Sequence, residues 1–374
     1  MKKLFFSGGI FVLGALLFAS CSHQKKNTNS FNLSIHVKGL NGVTNVVLEQ
    51  QVNGSWKRLD SVTLRDGKGE ITGAIKSPGM YYLVINKYNI HIPFWLENSN
   101  ISITTGLNTW RHPIVKGSKT QKEYEAFQDS VKIFYQREKP VLAKIRKAEA
   151  DNNPKKAEAY RKQYYKIDNQ RIAYIFGFAK RHNKSAISPY LVMKNCYLTS
   201  LGKLDSLTHD FDSTLFENQY FKSLKKRVAV LKRVAPGRHF INFTLNDTTG
   251  KPVSLASVIK NHKYTLVDFW ASWCPDCRAE NPGIVAAYKK FHKKGFTVFG
   301  VSFDRNHGDW VRGIKQQKLY WTQVSDLKGW HGSAGKLYGV EWIPHNLLIN
   351  QKGIIVAQDL AGKPLQNELK KLMN

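Results

Sequence analysis

Cysteine is scarce in this sequence: 4 of 374 residues, at positions 21, 196, 274 and 277. Four thiols at those spacings cannot staple a disulfide scaffold, which needs more cysteines, more widely spaced. They make no structural metal site either, because no second C-x-x-C and no paired histidine motif supplies two further ligands. Acidic residues are also few, with 27 Asp and Glu against 57 Lys and Arg, for a formal charge of +30. The excess is dispersed: between Lys119 and Ala235 the basic surplus is 13 of those 30. That describes a generally basic surface rather than one nucleic-acid patch, and no zinc-finger or RNA-binding motif accompanies it. Nucleic acid is therefore excluded as a partner, and anionic lipid, lipopolysaccharide or acidic proteins are left. No apolar run is long enough for a membrane span. The chain is nevertheless 42% apolar and 12% aromatic, so it can bury substantial cores, and its length points to two or three domains.

At the N-terminus, Lys2 and Lys3 precede the mostly apolar stretch Leu4 to Phe18, and the small pair Ala19-Ser20 precedes Cys21. With the polar tail Ser22 to Ser30 behind it, residues 1–21 read as a cleavable export signal. Leu17-Phe18-Ala19-Ser20-Cys21 resembles a bacterial lipobox, which implies diacylation of Cys21 and stable anchoring to a membrane face. An ordinary signal peptide with an incidental cysteine is the alternative. The expected location is the cell envelope, facing the periplasm, with Ser22 favouring the outer membrane over the inner.

Residues 31–115 read as an antiparallel β domain, a small sandwich. Phe31 to Val37 alternates apolar and polar, and short β-rich runs follow at Val46 to Gln50, Leu59 to Leu64, Tyr81 to Ile85 and Ile101 to Thr104. Turn chemistry at Asn53-Gly54, Asp66-Gly67 and Pro78-Gly79 separates them. Over residues 118–233 apolar residues such as Tyr124, Phe127 and Val131 recur at helical spacing. Pro140, Pro154 and Ser188-Pro189 are expected to divide this region into four or five helices. Its many aromatics read as helix core rather than a ligand stripe, and Cys196 as a lone buried thiol rather than a third redox partner. Ala235-Pro236-Gly237 reads as a linker. From 236 to 374, strands at Tyr264 to Trp270 and Phe296 to Phe303 alternate with helices at Ala279 to Lys293 and Asp309 to Lys318, which implies an α/β layer.

The chemistry lies in Leu266-Val267-Asp268-Phe269-Trp270-Ala271-Ser272-Trp273-Cys274-Pro275-Asp276-Cys277, a C-x-x-C at the junction of a buried strand and a helix. Helix N-termini present unpaired N–H groups and positive dipole ends, which favour a thiolate at Cys274, and two intervening residues let Cys277 close a disulfide with it. The segment resembles the active-site strand, turn and helix start of thioredoxin. With Phe243-Thr244-Leu245 upstream and Gly339 to Asn350 downstream, the chain from 236 to 374 is similar to the TlpA/ResA branch of exported thiol–disulfide oxidoreductases. The strand rhythm before it is similar to the N-terminal domain, of unassigned function, found in such lipoproteins of the Bacteroides group.

The resemblance implies roles. Cys274 would be the exposed nucleophile that attacks a substrate disulfide, and Cys277 would resolve the mixed disulfide. Asp268 takes the place of a buried carboxylate that relays a proton to or from Cys277. Glu280 falls where the branch carries an acidic residue; a solvated charge is the alternative. Pro344, after Ile343, matches the cis-proline loop facing the dithiol, so Trp273, Pro275, Ile343, Pro344 and His345 are expected to line the substrate-binding face. His345 stands where a small residue is usual. Either it lies near enough to Cys274 to influence the thiolate, or it faces water.

The expected activity is thus a membrane-anchored thiol–disulfide oxidoreductase acting on protein disulfides or dithiols in the envelope. It needs no cofactor or metal and draws electrons from a membrane thiol carrier. Three carboxylates near the dithiol, Asp268, Asp276 and Glu280, disfavour a thiolate and tilt the expectation toward a reductant. The alternatives are a peroxidase of the AhpC/TSA type and an envelope binding lipoprotein with an ancillary redox domain. The Thr or Ser that precedes a single peroxidatic cysteine is absent before Cys274.

Overall fold

Alternation in β1 (Phe31–Lys38) buries Phe31, Leu33, Ile35 and Val37 on one face, as a strand with one wet side requires. In the computed structural model, which describes residues 29–52 and 55–373, seven further strands extend this one. They are β2 (Val43–Val52), β3 (Ser55–Arg65), β4 (Lys68–Gly73), β5 (Gly79–Ile85), β6 (Ile90–Leu96), β7 (Asn100–Gly106) and β8 (Ile114–Lys116). Residues 1–21, including Cys21, and the Asn53-Gly54 turn lie outside the described residues. The strands form one ladder in the order β6-β5-β2-β3-β4-β1-β7-β8, and apolar residues from both ends of it share one core, so the sheet closes over itself. One pair departs from the antiparallel expectation: β1 and β7 run parallel, because the chain crosses from one end of the ladder to the other between them. Gly67, at φ +73°, makes the β3–β4 turn, and a Cβ there would come within 2.1 Å of the Val37 carbonyl oxygen.

Five α-helices follow: α1 (Lys119–Ala150), α2 (Pro154–Arg181), α3 (Ile187–Asn195), α4 (Leu201–His209) and α5 (Gln219–Arg233). Ser118 and Asn153 cap α1 and α2 through side-chain oxygens, and Pro154 opens α2 at a position where its missing N–H costs nothing. Pro140 does not break the chain as its residue type suggests. It lies on the exposed side of α1, whose other face is held by Phe127, Val131, Val141 and Ile145. Ser188-Pro189 likewise sits in the first turn of α3 rather than between helices. The aromatic residues of this region pack it against the β domain: Trp95 is fully buried among Tyr124, Tyr190 and Tyr220. Backbone bonds reinforce the join, Met80 N–H donating to the Tyr220 hydroxyl (3.0 Å) and Trp95 N–H to Gln121 Oε1 (2.9 Å).

The rest of the chain is a mixed seven-stranded sheet with helices. In chain order come β9 (Thr244–Asp247), β10 (Pro252–Ser254), α6 (Leu255–Lys260), β11 (Tyr264–Trp270), α7 (Pro275–Phe291), β12 (Phe296–Ser302) and α8 (His307–Gln317). Then follow β13 (Thr322–Ser325), α9 (Ser333–Tyr338), β14 (His345–Asn350), β15 (Ile355–Gln358) and α10 (Gly362–Met373). The order is β10-β9-β13-β12-β11-β14-β15, with β11, β12 and β13 parallel and β14 antiparallel to β11. From Thr265 onward every residue of β11 is buried, and β12 is buried throughout, which accounts for their mostly apolar sequences. Among the described residues no helix is long and apolar enough to cross a membrane.

Candidate active site

β11 ends at Trp270, and four residues later Cys274 caps α7. Its Sγ accepts the Cys277 N–H at 3.0 Å, so the sulfur occupies the anion-favouring end of the helix. Pro275 is at the first helical position, where the absent donor is no loss. Cys274 and Cys277 are joined by a disulfide with Cα atoms 5.3 Å apart. Cys277 is fully buried, and Cys274 keeps only 4% exposure in this oxidised form. It is less open than the exposed nucleophile expected from the sequence, because the loop before β14 covers it. In that loop the Ile343–Pro344 bond is cis, and the Ile343 carbonyl oxygen lies 3.7 Å from Cys274 Sγ. Trp273 projects beside the sulfur, 49% exposed.

Asp268 lies one strand position from Phe269 and is 1% exposed, with neither carboxylate oxygen hydrogen-bonded among the described residues. Burial, and then the nearby charge of Glu280, pushes its pKa up to about 7. Glu280 is half-buried on α7, and burial, then Asp359 and Asp276, raises it as well. It is not a plain solvated charge. His345 does not face water, one of the two readings held for it. As the first residue of β14 it is buried, its Nδ1 paired with Asp359 Oδ1 at 2.5 Å and its ring stacked toward Phe269. Cys196 is a buried free thiol, pushed up to about 11 mainly by burial, with Sγ 3.7 Å from Glu341 Oε2.

Two positioning groups escaped sequence reading. Asp304, just past β12, accepts from Ser272 N–H (3.1 Å), Ser272 Oγ (2.6 Å) and Ser302 Oγ (2.7 Å), tethering the turn that carries Trp273. Arg227 on α5 donates to the Gly339 carbonyl (3.2 Å), pairs with Glu341 (2.5 Å) and faces the Trp342 ring. A buried arginine thus grips the stretch leading into the cis-proline. Both contacts join residues far apart in the chain, and only Asp304 carried a usable signal, a carboxylate at the end of a buried apolar strand.

Residues 236–358 match the AhpC/TSA family, and residues 31–124 match a domain of unknown function, DUF4369. The chain is 26% identical over 160 residues to the thiol–disulfide oxidoreductase ResA of Bacillus thuringiensis subsp. konkukian, covering 43% of this chain and 84% of that protein. It is 36% identical over 100 residues to tryparedoxin of Trypanosoma brucei brucei, covering 26% of this chain and 67% of that protein. The chain belongs to the thioredoxin-like thiol–disulfide oxidoreductases. Among solved structures, the thioredoxin domain of a thiol–disulfide oxidoreductase from Bacteroides vulgatus is 38% identical. The match covers 37% of this chain and 99% of that one, with a TM-score of 0.35. The AhpC/TSA match, residues 236–358, falls on the mixed sheet that carries the dithiol, and the β and helical regions lie before it in the chain.

Proposed function

We propose that the protein is a lipid-anchored envelope oxidoreductase that reduces or exchanges disulfides in partner proteins. In this reading residues 31–115, 118–233 and 236–374 are its β, helical and thioredoxin-like domains, and Cys21 carries the anchor. The observation that carries the reading is the bonded Cys274–Cys277 pair at the α7 N-terminus, beside the Ile343 carbonyl of a cis-proline loop. Once reduced, the Cys274 thiolate attacks one sulfur of a substrate disulfide and the other sulfur leaves as a thiolate. Cys277, its proton passed to Asp268, then attacks Cys274 Sγ and releases the second substrate sulfur. Two electrons reach the substrate and the protein ends with the 274–277 bond. A membrane thiol carrier returns it to the dithiol form. Asp276 and Glu280 on α7, with Asp268 beneath, oppose the thiolate and favour the reducing direction. Trp273, Pro275, Ile343 and Pro344 form the face the substrate meets, the free backbone groups of the loop pairing with an extended segment.

The test is trapping. Cys277→Ser cannot resolve the first bond, so reduced variant expressed in its own envelope should accumulate mixed disulfides through Cys274, identifiable by mass spectrometry. Absence of any adduct, with Cys274 shown to be reduced and alkylatable, would sink the disulfide-reductase reading. The AhpC/TSA match favours one second reading, peroxide reduction. Consumption of hydrogen peroxide by the reduced protein faster than reduction of insulin disulfides would select it.

A further inference from the structure

A cleft of about 810 Å³ opens between α3 and α5 on one side and the α9 segment on the other. It has the size of sites that enclose a drug-sized ligand, and so of a few side chains of an extended peptide. Its charge is one-sided. Lys194, Lys222, Lys226, Arg227 and Lys336 line it, against the single carboxylate of Glu341, which Arg227 already occupies. Lys222 is drawn to Glu217 (2.7 Å), but Lys194, Lys226 and Lys336 are exposed and carry no salt bridge among the described residues. The side chain of Arg227 is 4% exposed, and its Nε and Nη2 are buried without an oxygen acceptor.

The cleft is continuous with the dithiol face. Trp330 lines its edge and is exposed, and its ring lies 6.3 Å from that of Trp273, the neighbour of Cys274. Gly339, Val340 and Glu341 form another part of the wall, and the same strand of chain runs on through Trp342 to Ile343, whose carbonyl faces Cys274. A polypeptide with a cysteine at Cys274 therefore has a short path along these residues into the basic cleft.

The geometry points to a substrate-docking cleft for an acidic segment flanking the reactive cysteine of the partner protein. This rests on the disulfide-exchange reading above and gives its substrate class: polypeptides with Asp or Glu a few residues from the cysteine. The helical region, which carries neither cysteine of the dithiol, is then the specificity element. Charge complementarity of this kind raises encounter rate and fixes register more than it adds raw affinity.

Three disulfide-containing peptides differing only in flanking charge, acidic, neutral or basic, test the docking with the full-length reduced protein. Wild type should favour the acidic over the basic peptide by about tenfold in kcat/KM, the scale of a few exposed ion pairs acting together. The preference should shrink in 0.5 M NaCl, where screening length falls to a few ångströms, a measurement that needs no variant. Lys194→Glu with Lys226→Glu and Lys336→Glu should invert it. Equal rates for all three peptides would overturn the docking, as would a preference untouched by both salt and charge reversal. So would binding of vesicles rich in anionic lipid that the same reversals abolish while the peptide preference persists. Failure to exchange with any peptide or with a small neutral disulfide would instead remove the underlying reading.

Discussion

A carboxyl group at 1% exposure, with neither oxygen bonded among the described residues, resists ionisation, and burial pushes the pKa of Asp268 up to about 7 from an ordinary 3.8. Between those values the folded state keeps a proton that the unfolded chain has released. Stability therefore falls as pH rises through that window and levels above it. Asp268→Asn removes the ionisable group, so the variant should lose this slope and exceed wild type at pH 8 by up to about 4 kcal/mol. Urea unfolding at acid and at alkaline pH measures both; parallel pH profiles for the two proteins would refute the assignment. The same variant should resolve mixed disulfides at least about 100-fold more slowly near neutrality, the low end of the usual worth of a positioned proton acceptor. Asp268 was legible because the strand before a C-x-x-C is otherwise apolar. Arg227 was not, since its partner Gly339 is distant in sequence and no local pattern announces the pairing; Asp304 offered only its place at the end of a buried apolar strand, with nothing to point to Ser272. The water-facing reading of His345 failed because its partner, Asp359, comes from the far side of the β14–β15 hairpin.

At the scale of elements, patterning told strands from helices wherever one face was wet. Alternation in β1 and the helical rhythm of Tyr124, Phe127 and Val131 survive folding as a buried and an exposed side. Short or fully buried elements such as β13 and α9 were missed, because four to six residues are too few to display a period. Pro140 misled for a different reason: tertiary packing of α1 along α2 overrides a local preference. The cost should still be present. Proline there deprives the Gln136 carbonyl of its helical donor and crowds the preceding turn. Because Pro140 is exposed and touches no core, Pro140→Ala should stabilise the protein by about 1–3 kcal/mol, raising the thermal midpoint by several degrees. An unchanged or lowered midpoint would mean that α1 is bent around Pro140 in a way the packing needs.

For the whole molecule, the division of labour follows from where the cores lie. The cluster under the dithiol sheet draws on residues 234 to 369, and only Val234 of its buried members precedes residue 236. The β ladder has its own cluster from residues 31 to 103, and the helices hold theirs through Phe176, Leu204 and Leu224. A further cluster joins Met80 and Trp95 of the ladder to Phe127, Ile175 and Leu191 of the helices, so those two regions are coupled, whereas the core under the dithiol sheet is a unit that can unfold separately. What crosses to the dithiol sheet is mainly polar: Arg227 on Glu341 and Gly339, and Gln358 on the Val234 carbonyl. Glu341 is half-exposed, so losing its arginine strands no buried charge. A fragment of residues 236–374 should therefore unfold in one cooperative transition and still exchange with a small neutral disulfide. It should show no preference between acidic and basic peptides, because Lys194 and Lys226 are gone with the helices. A fragment that lacks near-ultraviolet dichroism would show that the sheet depends on the helical region to fold. One that folds and keeps the full acidic preference would move the origin of selectivity onto Lys336 and the face around Trp273.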